Sequence, residues 1–189
     1  MTFASGSGSS SATAVSLPSD SDWQKLKQRE VLLTGEKGQY AVTALVCVRH
    51  EVAWSTLTDY NNFYRFLPTV AASRVVETDG SRSVVEQIDR RRVLMTTIES
   101  TVRTENLEID ERQISFRLIE GNLKYMYGHW RLDPVDWVPN LSDSLLISQW
   151  VRAEADFGPF KKLFYTLFEA SLIETMAAIR DEMERRSAA

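Results

Sequence analysis

The chain has 189 residues, 43% of them hydrophobic and 25% charged, which is typical of one soluble globular domain. The formal net charge of −4 argues against nucleic-acid binding, because that task needs a basic surface to displace counterions. Cys47 is the only cysteine, so neither an intrachain disulfide nor a multi-cysteine metal site can form. Its apolar neighbours favour a small buried hydrophobic residue.

The first 22 residues are rich in Ser, Ala, Gly and Thr and carry almost no large apolar side chains. This composition predicts a disordered tail, followed by a single domain over residues 23–189. The segment has neither the basic start and apolar core of a secretory signal nor the arginines of a mitochondrial presequence. We therefore expect the protein in the reducing cytoplasm.

The ordered part of the chain begins with strand patterns and continues with helical ones. Residues 31–34 and 40–48 are enriched in β-branched and aromatic residues and flank a turn at residues 35–38. Residues 51–57 and 61–67 follow helical spacing, with a break near Asp59 and a stop at Pro68. Two short helices should therefore follow the first long strand.

The middle of the chain predicts an antiparallel meander. Asp79-Gly80 lies between two alternating apolar runs and is typical of a hairpin turn. Residues 113–118 alternate most cleanly between the two faces. Strand patterns in this part of the chain lie at residues 73–77, 83–88, 93–102, 113–118, 123–132 and 145–155. Together with the strand segments at the start of the domain, they predict an antiparallel sheet of about seven strands.

Gly158-Pro159 introduces a final amphipathic helix that extends to about Arg186, a length on the order of 40 Å. Its predicted apolar stripe contains Phe160, Leu163, Phe164, Leu167, Ser171, Glu174 and Ala178. Such a helix is long enough to cross the whole sheet. The element order predicts an α+β fold in which a curved antiparallel sheet wraps a long C-terminal helix. A body of this kind can enclose an apolar cavity, which indicates a protein that holds a hydrophobic small molecule.

Several segments also resemble a known family, the polyketide cyclase/dehydrase and lipid-transport family, which includes the coenzyme Q-binding proteins. The resemblance lies in Trp54-Ser-Thr-Leu-Thr-Asp-Tyr60, Phe66-Leu-Pro68, Ser73-Arg-Val75, Glu86-Gln87, Ile114-Ser-Phe-Arg-Leu-Ile-Glu-Gly121 and Gly128-His-Trp-Arg-Leu132. The family is part of the START/SRPBCC helix-grip superfamily, which also contains the birch-pollen allergens. The resemblance implies the helix-grip fold with a cavity between sheet and helix. Its members bind quinones, sterols, polyketides or hormones, and a minority catalyse reactions.

The candidate cavity wall consists of large side chains on facing elements. These are Phe116, Met126, Trp130, Phe164 and Phe168. The alternative, that these residues only pack the core, stays open because stripes of this kind usually do so.

Three further candidates belong to the short helices and the fourth strand. Phe63 and Phe66 either gate the cavity mouth or pack the short helices on the sheet. Gln87 shares the strand parity of Val85 and is the candidate for one polar group inside the cavity, where it would orient a ligand. Its alternative role is a hydrogen bond to a neighbouring side chain.

The sequence favours binding over catalysis, and we expect no catalytic residue, metal or cofactor. A cyclase or dehydratase would need Asp59, Tyr60 or His129 to face inward. Asp59 is better interpreted as a helix cap, and His129 points away from the cavity if Trp130 points into it. A third interpretation is an assembly factor that binds protein through Trp137 and Trp150. Transient membrane contact and the oligomeric state stay open.

Overall fold

The computed structural model describes residues 18–93, 96–135, 143–155 and 158–189, except the side chains of residues 91–93, 96–98 and 160. Eight strands and three α-helices are formed by these residues, together with two short 3₁₀ helices. In chain order they are α1 (Asp20–Lys27), β1 (Leu32–Glu36), β2 (Gln39–Cys47), α2 (His50–Leu57), the first 3₁₀ helix (Tyr60–Arg65), β3 (Val70–Asp79), β4 (Arg82–Val93), β5 (Thr96–Ile109), β6 (Gln113–Glu120), β7 (Tyr125–Pro134), β8 (Ser144–Glu154), the second 3₁₀ helix (Gly158–Phe160) and α3 (Lys161–Ser187).

All strands lie in one sheet of order β1-β2-β8-β7-β6-β5-β4-β3, and every neighbouring pair is antiparallel. The eight strands of the described part exceed the predicted sheet of about seven, although all eight overlap strand patterns in the sequence, including the five-residue edge strand β1. The turn between them contains Lys37 and Gly38 with φ angles of 53° and 88°. Two consecutive positive φ angles give the turn a twist that matches the flanking strands. The predicted α+β helix-grip architecture is confirmed.

The main core lies between the inner face of the sheet and α3. The helix contributes Leu172, Met176, Ile179 and Met183, all buried and spaced four, three and four residues apart. The predicted apolar stripe on this helix is wrong at Leu163, which is 50% exposed, and at Glu174, which is also exposed. Its members Phe164, Leu167 and Ser171 border a cavity. The residues that pack in the core lie on a neighbouring stripe of the helix.

A second, smaller core lies on the outer face of the sheet, under α1. Leu26 of this helix is buried against Leu45 and Leu146. The helix begins at Asp20 behind a capping box, in which Ser19 and Asp22 exchange hydrogen bonds with each other's backbone. Its first three residues therefore fall within the segment predicted as tail. Residues 1–17 lie outside the described residues.

Cys47 is exposed, so its interpretation as a buried hydrophobic residue is wrong. Its neighbours Val46 and Val48 are buried, and the alternation of β2 turns Cys47 to the opposite face. Among the described residues, no helix is both long enough and apolar enough to cross a bilayer.

Candidate functional site

A cavity of about 380 Å³ lies between the inner face of the sheet and the first half of α3. Its size falls within the ~300–1,000 Å³ range of small-molecule pockets. The lining comes from the end of α2, the first 3₁₀ helix, strands β3 to β8 and α3. The helix therefore stands off from the sheet along the stretch from Phe164 to Ile179.

One wall of the cavity is apolar and largely aromatic. Phe116, Met126 and Trp130 point inward because they share the inner parity of β6 and β7. Phe164 and Phe168 face them from one side of α3, and their rings stack at a centroid distance of 5.5 Å. This wall offers a flat apolar surface to a guest molecule.

The opposite wall is polar. The inner faces of β4 and β5 contribute Gln87, Asp89, Ser100, Thr104 and Asn106 to the lining. Within this wall, Asn106 Nδ2 donates a hydrogen bond to Thr104 Oγ1 at 3.1 Å. Gln87 is therefore not the single polar group that the sequence suggested. The parity of β5 places three further polar side chains beside it.

Tyr60 of the first 3₁₀ helix lines the cavity and is buried. Its hydroxyl donates a hydrogen bond to a carboxylate oxygen of Glu108 at 3.2 Å. Burial, reinforced by the negative charge of Glu108, raises the pKa of the Tyr60 phenol. The phenol therefore stays protonated at physiological pH, and its proton is already engaged by Glu108, so Tyr60 is neither an effective acid nor a base.

Asp59 and His129 do not line the cavity. Asp59 accepts a hydrogen bond from Asn62 Nδ2 at 2.7 Å and forms an ion pair with Arg186 at 2.8 Å. Its carboxylate makes no capping hydrogen bond, so the interpretation as a helix cap is wrong. The side chain instead meets a stronger, charged partner on α3.

His129 lies on the outer face of the sheet, as strand parity predicts once Trp130 points inward. Its ring stacks on Trp150 at a centroid distance of 5.9 Å. Burial, followed by the charge of Arg131, lowers the pKa of His129. Trp150, one of the two residues suggested for a protein interface, is thus half-buried beneath the His129 ring. Trp137, the other one, lies outside the described residues.

Phe66 does not line the cavity, unlike the other seven residues proposed from the sequence. It follows the first 3₁₀ helix, and its ring meets that of Phe63 edge to face at a centroid distance of 5.7 Å. The guanidinium of Arg186 lies 5.5 Å from the centre of the same ring. Phe66 therefore supports the lining residue Phe63 from behind.

The sequence interpretation missed Gln149, which lines the cavity from β8 and is buried. The signal was present, because Gln149 has the inward parity of Ile147 and Val151 and is the polar member of that row. Its Oε1 atom accepts no hydrogen bond from any residue that the structure describes.

Comparison with solved structures finds the same fold in other proteins. The Zhui aromatase/cyclase from a Streptomyces species aligns at a TM-score of 0.64 and 17% identity, over 78% of this chain and 94% of the other. A START superfamily protein from Mycobacterium smegmatis aligns at 0.65 and 14%, over 78% and 98%. A STAR-related lipid transfer protein from Xanthomonas axonopodis aligns at 0.61 and 14%, over 82% and 92%. At these identities the likeness concerns the fold.

No curated protein sequence matches the chain significantly. Residues 46–178, well over half of the chain, match a family model described as polyketide cyclase / dehydrase and lipid transport. This match and the shared fold together identify the chain as a member of the polyketide cyclase/dehydrase and lipid transport family.

Proposed function

We propose that this protein binds and carries a hydrophobic small molecule, such as a lipid, a quinone or an isoprenoid-like compound, in the cavity between its sheet and α3. The observation that carries this proposal is the aromatic wall formed by Phe116, Trp130, Phe164 and Phe168 around about 380 Å³ of space. Further along α3, Met176 and Met183 are fully buried in the core and do not line the cavity.

The binding energy would come mainly from apolar surface removed from water. At about 25 cal/mol per Å², a ligand that buries about 300 Å² of apolar surface gains roughly 7 kcal/mol before the costs of association. The polar wall on β4 and β5 would then fix the orientation of the ligand, with Gln87 and Asn106 as its amides.

The cavity is partly open to the surface, and movement of a bordering segment would widen its entrance for a ligand. The segment over residues 52–67 is the natural lid, because Leu57, Tyr60 and Phe63 border the cavity and belong to two short helices rather than to the sheet. Ligand exchange would occur when this segment lifts from α3. We place this carrier in the cytoplasm.

A cyclase or dehydratase activity is the second candidate, and the ionisable side chains of Tyr60 and Asp89 in the lining favour it. Catalysis of this kind needs an inward acid or base. Tyr60 already donates its proton to Glu108, and Asp59 and His129 do not line the cavity, so such an activity would depend on Asp89. Binding is therefore the better-supported function.

Solvent extraction of the purified protein, followed by mass spectrometry of the extract, tests the proposal. We expect a stoichiometric hydrophobic compound, or micromolar binding when the protein is titrated with quinones, carotenoids and fatty acids. A protein that contains no such compound and ignores all three classes would contradict the carrier function. Turnover of a polyketide-like substrate that is lost in Asp89→Asn would favour the second candidate instead.

A further inference from the structure

We propose that the ligand presents a carbonyl oxygen to β8, and that the side-chain amide nitrogen of Gln149 donates a hydrogen bond to this oxygen. This inference rests on the proposed binding function and narrows it to one chemical class of ligand, hydrophobic molecules that carry a ketone, an ester or a similar carbonyl group. It concerns the side of the cavity that lies away from the polar wall on β4 and β5.

The surroundings of Gln149 are apolar. Its neighbours on the same face of β8 are Ile147 and Val151. Its cross-strand partners are Val42 on β2 and Trp130 on β7. In the order of the sheet, β7 and β6 separate β8 from the polar wall, which begins on β5. Gln149 is 8% exposed and lines the cavity, so a polar side chain is buried among hydrophobic residues at the cavity surface.

The two ends of the Gln149 amide differ in what they can reach. The Oε1 atom has no appreciable accessible surface and accepts no hydrogen bond from the described residues, so a ligand cannot bind to it. The Nε2 atom is the end that meets the cavity, and within the described part of the chain it has no acceptor. A hydrophobic ligand that fills the cavity excludes water from this N–H group. It must therefore supply an acceptor or leave a buried donor unpaired, which costs affinity.

The chemistry of the amide nitrogen decides the class of ligand. A carbonyl oxygen accepts a hydrogen bond from an N–H group and brings no donor of its own. A hydroxyl oxygen could accept the same bond, but its hydrogen would then need an acceptor, and on this side of the cavity the strands supply Ile147, Val151 and Trp130. A hydrocarbon leaves the amide unpaired. Gln149 should therefore favour the carbonyl member of a series of otherwise similar molecules.

Three probes of similar shape test this selection: 2-acetonaphthone, its alcohol 1-(2-naphthyl)ethanol, and 2-isopropenylnaphthalene, in which a CH₂ group replaces the carbonyl oxygen. Dissociation constants are measured for the wild type and for Gln149→Met, which keeps the length of the side chain without the amide. Comparing the ratio of two probes between two proteins cancels the different hydration of the probes. We expect the affinity for the ketone, relative to the alkene, to be about tenfold lower in Gln149→Met than in the wild type. The relative affinity for the alcohol should fall less.

Ser148→Ala is the control, because Ser148 is buried next to Gln149 in the chain but has the opposite strand parity and does not line the cavity. The ratios between probes should be the same in this variant as in the wild type. The ligand-free Gln149→Met protein should melt at the wild-type temperature or above, since it loses no hydrogen bond within the described part. A clear drop would show that the amide serves the fold instead.

The possible failures can be told apart. If none of the three probes binds to the wild type, the proposed function is overturned and this inference falls with it. If the probes bind and Gln149→Met weakens the ketone and the alkene equally, or neither of them, binding stands and the role of Gln149 is overturned. A loss of affinity for the alcohol as large as that for the ketone would overturn the restriction to carbonyl compounds.

Discussion

The carboxylate of Asp59 accepts a hydrogen bond from Arg186 Nη2 at 2.8 Å, which joins the start of the first 3₁₀ helix to the last turns of α3. The same guanidinium lies over the ring of Phe66, at the other end of that short helix. Arg186 therefore ties both ends of a cavity-lining segment to the long helix. If residues 52–67 form a lid over the cavity, Arg186 holds this lid against α3.

We predict that Arg186→Met lowers the free energy of unfolding by about 1–2 kcal/mol, because it removes the partly buried ion pairs of Arg186 with Asp59 and Glu182. The side chains of Arg186 and Asp59 are only 24% and 25% exposed. The variant should also release bound ligand faster, since the lid loses its attachment. Urea unfolding and a ligand-dissociation time course measure the two effects.

The neighbouring Arg185 provides the control, because its ion pair is with Glu182 of the same helix and its side chain is 68% exposed. Arg185→Met should have a smaller effect on stability and none on the rate of ligand release. Equal rates of ligand dissociation in the two variants would argue against a role of Arg186 in holding the lid against α3.

The stability of the protein in acid should depend on Glu182. Hydrogen bonds from Arg185, and then from Arg186, lower the pKa of Glu182 from 4.5 to about 2, against the opposing effect of burial. A lowered pKa means that the contribution is fully present above pH 4.5 and is lost as the pH falls toward 2. We expect Glu182→Gln to be about 1–2 kcal/mol less stable than wild type at pH 7. The difference between the two proteins should narrow steadily between pH 4.5 and 2 in a series of urea titrations. A difference that stays constant across this range would contradict the assigned pairing.

Gly128 should not tolerate a side chain. A Cβ atom at this position would lie 2.0 Å from the carbonyl oxygen of Trp150 and 2.9 Å from Cζ of Phe116. Gly128→Ala should therefore destabilise the protein by about 1–3 kcal/mol or more, because the strand backbone would have to move. Gly80→Asn is the control, since a Cβ there meets nothing within 4 Å and asparagine tolerates its φ of +57°. Thermal unfolding of both variants checks the prediction, and equal melting temperatures would refute it.

Strand alternation allowed much of the site to be predicted from the sequence. The period of two places Phe116 and Trp130 inside and His129 outside, because one face of an antiparallel sheet covers the core. The same rule pointed at Gln149, whose inward neighbours are Ile147 and Val151. Strand parity alone does not show which inward residue of an otherwise apolar row borders a cavity, so Gln149 was not predicted.

The orientation of α3 could not be predicted in the same way. This helix has apolar residues on more than one side, so its sequence does not say which stripe meets the sheet. Met176 and Met183 are buried in the core, whereas Phe164 and Phe168 face a cavity and Leu163 is exposed. The choice depends on where the helix stands off from the sheet, which is a tertiary property. The burial of Asp59 against Arg186 likewise depends on a contact between residues far apart in the chain.

The central claim is that the cavity itself holds the ligand, and Thr175 allows a direct test. Thr175 lines the cavity from α3, whereas Thr166 lies exposed on the same helix outside the lining. Thr175→Phe should place a ring in the space a ligand would occupy, and Thr166→Phe makes the same chemical change at the surface. The wild type and both variants are loaded with the same extracted or titrated compound and compared by native mass spectrometry. We expect the protein–ligand complex in the wild type and in Thr166→Phe, and little or none in Thr175→Phe. Equal occupancy in all three proteins would show that the molecule binds elsewhere and would contradict the account.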